Sequence, residues 1–212
     1  MAGATPGPVG ASRAARERIL DTAFRLFYAR GVRGVGVDTV VAASGVAKAT
    51  LYKHFPGKDD LVLAYLDKAD LAWRDQLRAA AEAAGDDPRD RLVGMFDALT
   101  AACRREGYHG CAFINTAAES APGGRVHART VEHKAAVLVW VSRMAEAAGA
   151  VDPESLARGL ALLLDGGLAA GVLDADPGAG EAAKQAARVL VDTGCAGDDN
   201  SSRRERHDLT AR

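Results

Sequence analysis

The feature that most constrains this 212-residue chain is a helical periodicity cut at short intervals by glycine and proline. From Arg13 to Arg30, Ile19, Ala23, Leu26 and Phe27 fall on one helical face, with Arg18, Asp21 and Arg25 opposite, until Gly31 ends the pattern. Shorter helices are predicted over Asp38–Ser44, closed by Gly45, and over Ala47–Phe55, closed by Pro56-Gly57. A longer one starts at Lys58, with Asp59 and Asp60 favourable in its positive first turn, and runs to the break at Gly85–Pro88. Residues 89–105 carry Leu92, Phe96, Leu99 and Cys103 on one face, residues 111–119 form a short apolar helix, and 125–148 a long one ended by Gly149. Asp152-Pro153 and Asp176-Pro177 each place an N-cap acid before a first-turn proline and open two further helices. The stretch 156–172 is apolar nearly all round, which calls for burial on several sides. No strand pattern and no internal repeat emerges, so the fold class expected is all-α, with about nine helices.

Charge is unevenly spread. Residues 1–60 carry nine Lys and Arg against five Asp and Glu, in a chain whose net charge is −1. A basic head on an acidic body suits a partner that is a polyanion. Cys103, Cys111 and Cys195 are too few and oddly numbered for a disulfide framework. No uninterrupted apolar run approaches a membrane span and Met1–Gly10 lacks the regions of a signal peptide, so a cytoplasmic protein with no membrane partner is expected.

The informative stretch is Asp38 to Lys58, DTVVAASGVAKATLYKHFPGK. Two short helices flank Gly45, which suits a turn of positive φ. Val40, Val46, Leu51 and Phe55 face inward and anchor the second helix on the first and on residues 19–27. The other side of the second helix then carries Lys48, Ala49, Thr50, Tyr52, Lys53 and His54. Those side chains offer cations and hydroxyls for phosphate oxygens, donors for base edges and a methyl for thymine, on a rod that fits the major groove. Taken singly, Tyr52 and His54 also read as half-buried packing residues, and Lys53 and Lys58 as solvated charges; in register with the glycine turn they read as a DNA-facing surface.

This segment resembles the TetR family of bacterial repressors, whose second and third helices read IA…AGVSKGTLYxHFxSKxxL. The residues that carry the resemblance are Val40-Val41, the run from Ser44 to Phe55, Gly57-Lys58 and Leu61. It is specific over residues 15–65; beyond that the helical layout agrees, with Gly110-Cys111, Asn115 and Glu119 similar to one branch of the family. The resemblance implies phosphate or base contacts from Lys48, Thr50, Tyr52 and His54, base preference set by Ala49 and Lys53, and phosphate contacts from Lys58 and, more weakly, Thr39. Three departures stand out. Ala47 replaces the serine cap of the recognition helix, a loss of about 1 kcal/mol. Val41 stands where a small alanine is usual, and Gly36 and Asp38 where threonine or arginine often meets DNA.

Other constellations carry less. His109, Cys111, Cys103, His127 and His133 have no ligand spacing on a shared helical face, so structural cysteines and surface histidines are expected and no metal or cofactor is assigned. No catalytic order of residues stands out, and a helical ligand-binding or enzymatic protein with a vestigial head is the rival reading. The organisation expected is a disordered arm over 1–12, a helix-turn-helix domain over 13–57, a ligand-binding and dimerisation domain over 58–195 and a disordered tail over 196–212. By resemblance, the helices near 153–173 and 177–193 pair with those of a second subunit, and a small-molecule effector competes with a palindromic double-stranded operator. Its pocket is expected among Phe96, Leu99, Cys103, Phe113, Asn115, Trp140, Val141 and Met144. No cluster of acids or arginines is evident there, which points to an apolar or weakly polar effector.

Overall fold

The computed structural model describes residues 8–173 and 178–195. Among these residues it contains ten helices and no strand: α1 (Pro8–Arg30), α2 (Val37–Ser44), α3 (Lys48–His54), α4 (Lys58–Ala83), α5 (Pro88–Gly94), α6 (Phe96–Cys103), α7 (Ala112–Glu119), α8 (Arg125–Ala147), α9 (Pro153–Leu173) and α10 (Ala179–Gly194). α1 starts five residues earlier than its apolar pattern, so residues 8–12 of the expected arm are helical. The rest of that arm, the tail and the cap at Asp176-Pro177 lie outside the described residues. The segment 89–105 is two helices, not one. They break at Met95, beside a Gly94 whose Cβ would collide with that of Ala84, just past the end of α4. Such backbone-to-helix closeness turns the chain and leaves no trace in apolar spacing.

The chain falls into two compact units, the described part of Met1–Ala72 with Cys111–His133, and Trp73–Gly110 with Lys134 onward. The unit that contains the head thus takes in more than residues 13–57: the first part of α4, α7 and the start of α8 belong to it. Its core joins Ile19, Ala23 and Phe27 of α1 to Val40, Leu51, Phe55, Leu61 and Leu66. Tyr65 is 1% exposed and meets Phe24 and Phe27 edge-on, with ring centroids 5.2 and 5.7 Å away. Such burial raises its phenol well above the ordinary tyrosine range.

In the second unit α10 packs on α9, α6 and α5, and α9 packs on α6. Glycines set these approaches. A Cβ at Gly180 of α10 would stand 2.5 Å from Thr100 Cα, one at Gly171 would stand 2.6 Å from Cys103 Sγ, and Gly167 faces Leu99. Asp152 caps α9 by accepting from Ser155 N–H at 3.0 Å, as the Asp-Pro pair predicts. α9 is also the one described helix long and apolar enough to cross a membrane, although 33% of its most apolar stretch is buried within the chain. Leu164 and Gly167, within the helix near 153–173 expected to pair with a second subunit, are buried against this chain's own helices. The outward apolar positions of α9 are Leu162, Val172 and Leu173.

Candidate nucleic-acid interface

Gly45 closes α2 with φ 64°, its N–H bonded to Val41 O, and the chain re-enters a helix three residues later. Only a residue free of a Cβ adopts that φ at no cost. α3 is held from below: Leu51 is 0% and Phe55 2% exposed, and Val40 and Val46 are buried with them, as the sequence predicts. Ala47 contributes no side-chain cap, so the first turn relies on the bonds from Thr50 and Leu51 N–H to Ala47 O.

With Leu51 spent on the core, the other side of α3 is free. Lys48, Ala49 and Lys53 are exposed, Tyr52 is 43% exposed, and Thr50 and His54 are half-buried. Thr39 is exposed on α2, and Lys58 is half-buried at the start of α4. The eight residues therefore occupy α2, α3 and the first residue of α4, all in the first unit. His54 Nε2 is buried and has no hydrogen-bond partner among the described residues. The guanidinium of Arg16 lies 5.2 Å from the Phe55 ring and fastens α1 to the end of α3. Lys48 Nζ is 2.7 Å from Asp38 Oδ1, and that hydrogen bond, with the carboxylate's charge, raises the Lys48 ammonium above its ordinary value.

The model for bacterial regulatory proteins of the tetR family matches residues 19–65. A TetR-family transcriptional regulator from Streptomyces coelicolor is 36% identical, with a TM-score of 0.81 over 86% of this chain and 97% of that one. The chain belongs to the TetR family. A putative TetR transcriptional regulator from Streptomyces avermitilis is 30% identical, with a TM-score of 0.76 over 85% of this chain and 97% of its own. Among curated relatives, the HTH-type transcriptional regulator LmrA of Bacillus subtilis is 36% identical over 72 residues, which span 34% of this chain and 38% of LmrA. The HTH-type transcriptional repressor KstR2 of Mycobacterium tuberculosis is 31% identical over 85 residues, 38% of this chain and 40% of KstR2. The chain thus matches less than half the length of these curated relatives, whereas the structural likeness extends through the body. This TetR-family protein is a transcriptional regulator of the helix-turn-helix type, not an enzyme.

The second candidate set is divided between the two units, with Phe113 and Asn115 in the first and the other six residues in the second. Phe113 belongs to the first unit, where its ring stacks on His133 with centroids 3.5 Å apart. Asn115 is exposed, because Phe113 and Thr116 take the inner face of α7 and leave position 115 turned away from it. Phe96, Leu99 and Val141 are 0% exposed and fill the core of the second unit, and Cys103 is half-buried under Gly171. Trp140 and Met144 line an open pocket of about 360 Å³ with Ala81, Pro88 and Ala147, rimmed by Arg78, Glu82, Arg91 and Arg143.

Sequence reasoning missed two polar clusters in the first unit. Glu119, the last residue of α7, clasps the α1–α2 turn. Its Oε2 accepts from Arg33 N–H and its carbonyl from Arg33 Nε, both at 2.6 Å, and a methyl at Gly31 would collide with the carboxylate. Beside this clasp lies a pocket of about 240 Å³ lined by Arg33, Lys58, Asp59, Glu119 and Arg125 among others. Deeper, Asp70 of α4 holds His133 Nδ1 at 2.7 Å and Arg129 at 2.8 Å, and Arg129 also reaches Asp67 at 2.7 Å. Burial pushes the Asp70 carboxyl up, but the hydrogen bonds and charges of His133 and Arg129 outweigh it and hold the group below its ordinary value. This cluster corrects two expectations: His133 is 1% exposed rather than a surface histidine, and one acid, Asp70, is buried with an arginine. The signal was the spacing of Asp67 and Asp70 opposite Arg129 and His133, which only a contact between α4 and α8 makes meaningful.

Proposed function

We propose that this TetR-family protein is a ligand-responsive repressor, which binds a palindromic operator as a homodimer and is released by a small apolar or weakly polar molecule. The observation that carries the DNA side is the division of α3: Leu51 faces inward and Lys48, Ala49, Tyr52 and Lys53 face outward. In this reading Tyr52 and Lys53 meet bases or phosphates in the major groove, and Thr39, Lys48, Thr50, His54 and Lys58 grip the flanking backbone. KstR2, a relative over this segment, is named a repressor.

The dimer is proposed through the outer stripe of α9 and α10, where Leu162, Val172, Leu173 and Val189 are exposed. The effector seat proposed is the pocket of Trp140 and Met144, whose apolar floor suits a flat ring and whose arginine rim supplies donors. Effector and operator then bind competing conformations of one protein. The test is an electrophoretic shift with DNA from upstream of its own gene, with Tyr52→Ala and Lys53→Ala as controls and a panel of apolar compounds as releasing agents. Sedimentation at micromolar concentration reads the dimer. Binding that survives both substitutions unchanged, or a monomer bound to half an operator, would refute the corresponding part.

A further inference from the structure

Asp38 is the only acid between Gly31 and Lys58, a stretch that also holds Arg33, Lys48, Lys53 and Lys58. The head's other acids are committed elsewhere: Glu17 to Arg13, Asp21 to Lys68 and Asp60 to Arg125, while Asp59 lines the pocket beside Glu119. Among the described residues, Asp38 is the head's one acid joined to a proposed DNA contact, with Oδ1 2.7 Å from Lys48 Nζ across the turn between α2 and α3. Both side chains are open to solvent, at 79% and 55% exposure, so the pair closes no core and supports no packing. In the first turn of α2 a carboxylate is favoured with or without Lys48; fixed on a cation of α3, it also acts on the charge that DNA meets.

We infer that Asp38 is a specificity-determining residue: by pairing with Lys48 it suppresses attachment of the head to arbitrary DNA. The inference rests on the reading that α3 docks on DNA. Attachment to arbitrary sequence is supplied by cations that replace counterions on phosphates. A lysine that already holds a carboxylate must surrender it to reach a phosphate, and the freed carboxylate then repels the same phosphate. At an operator, contacts from Tyr52 and Lys53 to bases fix the register and press Lys48 against its phosphate, so the exchange is driven. On arbitrary DNA nothing drives it. Giving up an exposed ion pair of this kind changes an equilibrium constant roughly threefold, which sets the scale for each head engaged.

The experiment measures binding of the full chain to a random-sequence duplex by fluorescence anisotropy across a salt series. It compares wild type, Asp38→Asn, Lys48→Met and the double variant. Asp38→Asn is expected to bind random DNA roughly threefold more tightly per head, and its log–log salt dependence should steepen by up to about 0.9 per head. In the Lys48→Met background that gain should largely vanish, because Asp38 acts through Lys48. A merely structural Asp38 would alter the melting temperature and leave the salt slope alone; Asp38→Ser repeats the comparison with a second side chain. An unchanged or weakened affinity of both Asp38 variants overturns the inference, and so does a gain that persists in full without Lys48. Wild-type protein that binds no duplex at all would instead overturn the docking of α3, and the inference with it.

Discussion

α3 and α9 pose opposite problems to a reader of sequence. α3 has seven residues and buries only Leu51, so nearly everything else on it is available to a partner. α9 has 21 residues and is apolar on most sides. It buries Leu156, Ala157, Leu160, Leu164, Gly167, Leu168 and Gly171 within its own chain and still exposes Leu162, Val172 and Leu173. On a short helix with one anchor, the binding face is whatever the core does not use. On a helix that is apolar all round, composition does not separate the face that meets its own chain from the face that meets another.

The largest effect tests that separation. Leu164→Arg places a charge among α9's buried contacts and should cost several kcal/mol, enough to lose the cooperative urea transition. Leu162→Arg, at a position 72% exposed, should melt like wild type and shift the sedimenting species toward monomer. Reversed outcomes would mean that the inner and outer faces of α9 are misassigned.

Next in size is the polar core of the first unit. Asp70→Asn strips the charge facing Arg129 and His133 and should cost about 3 kcal/mol, read by urea denaturation. The sign with pH follows from the lowered carboxyl. A group whose folded pKa lies below its unfolded value of about 3.9 stabilises fully above that value and loses its effect as pH falls through the lower one. Wild-type stability should therefore fall through that acid window, and this component should be absent from Asp70→Asn. Equal acid sensitivity in the two proteins would remove Asp70 as its source.

On α3 the substitutions should act on DNA and not on folding. Tyr52→Ala and Lys53→Ala are each expected to weaken binding about tenfold, or to change the preferred bases, with urea midpoints close to wild type. A drop in stability that matched the lost affinity would return both residues to a packing role. The smallest effect is Ala47→Ser. A hydroxyl at the uncapped start of α3 should add up to about 1 kcal/mol and protect the amides of Lys48–Thr50 from hydrogen exchange.

Much of this protein was legible in its residues. The periodicity and the Gly and Pro breaks marked nearly every helix, and Leu51 with Phe55 against Lys48, Tyr52 and Lys53 oriented the recognition helix, because a rod with one apolar edge has one way to lie on a core. Asp152-Pro153 marked its cap because capping is local, a matter of three residues. The break at Met95 was not legible, since it depends on how closely Gly94 approaches α4. Nor was the clasp of Glu119 on Arg33, 86 residues away in the chain, or the pairing of Asp70 with Arg129 and His133. The surroundings of the expected pocket residues were hidden for the same reason: the packing spent Phe96, Leu99 and Val141 on the core and left Asn115 exposed, while Trp140 and Met144 line an open pocket. By itself the sequence determined the helices, their apolar edges and the outer face of α3, because those follow from neighbours within a turn or two. Only the tertiary structure decided which polar groups meet and which apolar faces are already filled, because both depend on contacts between segments that no local spacing encodes.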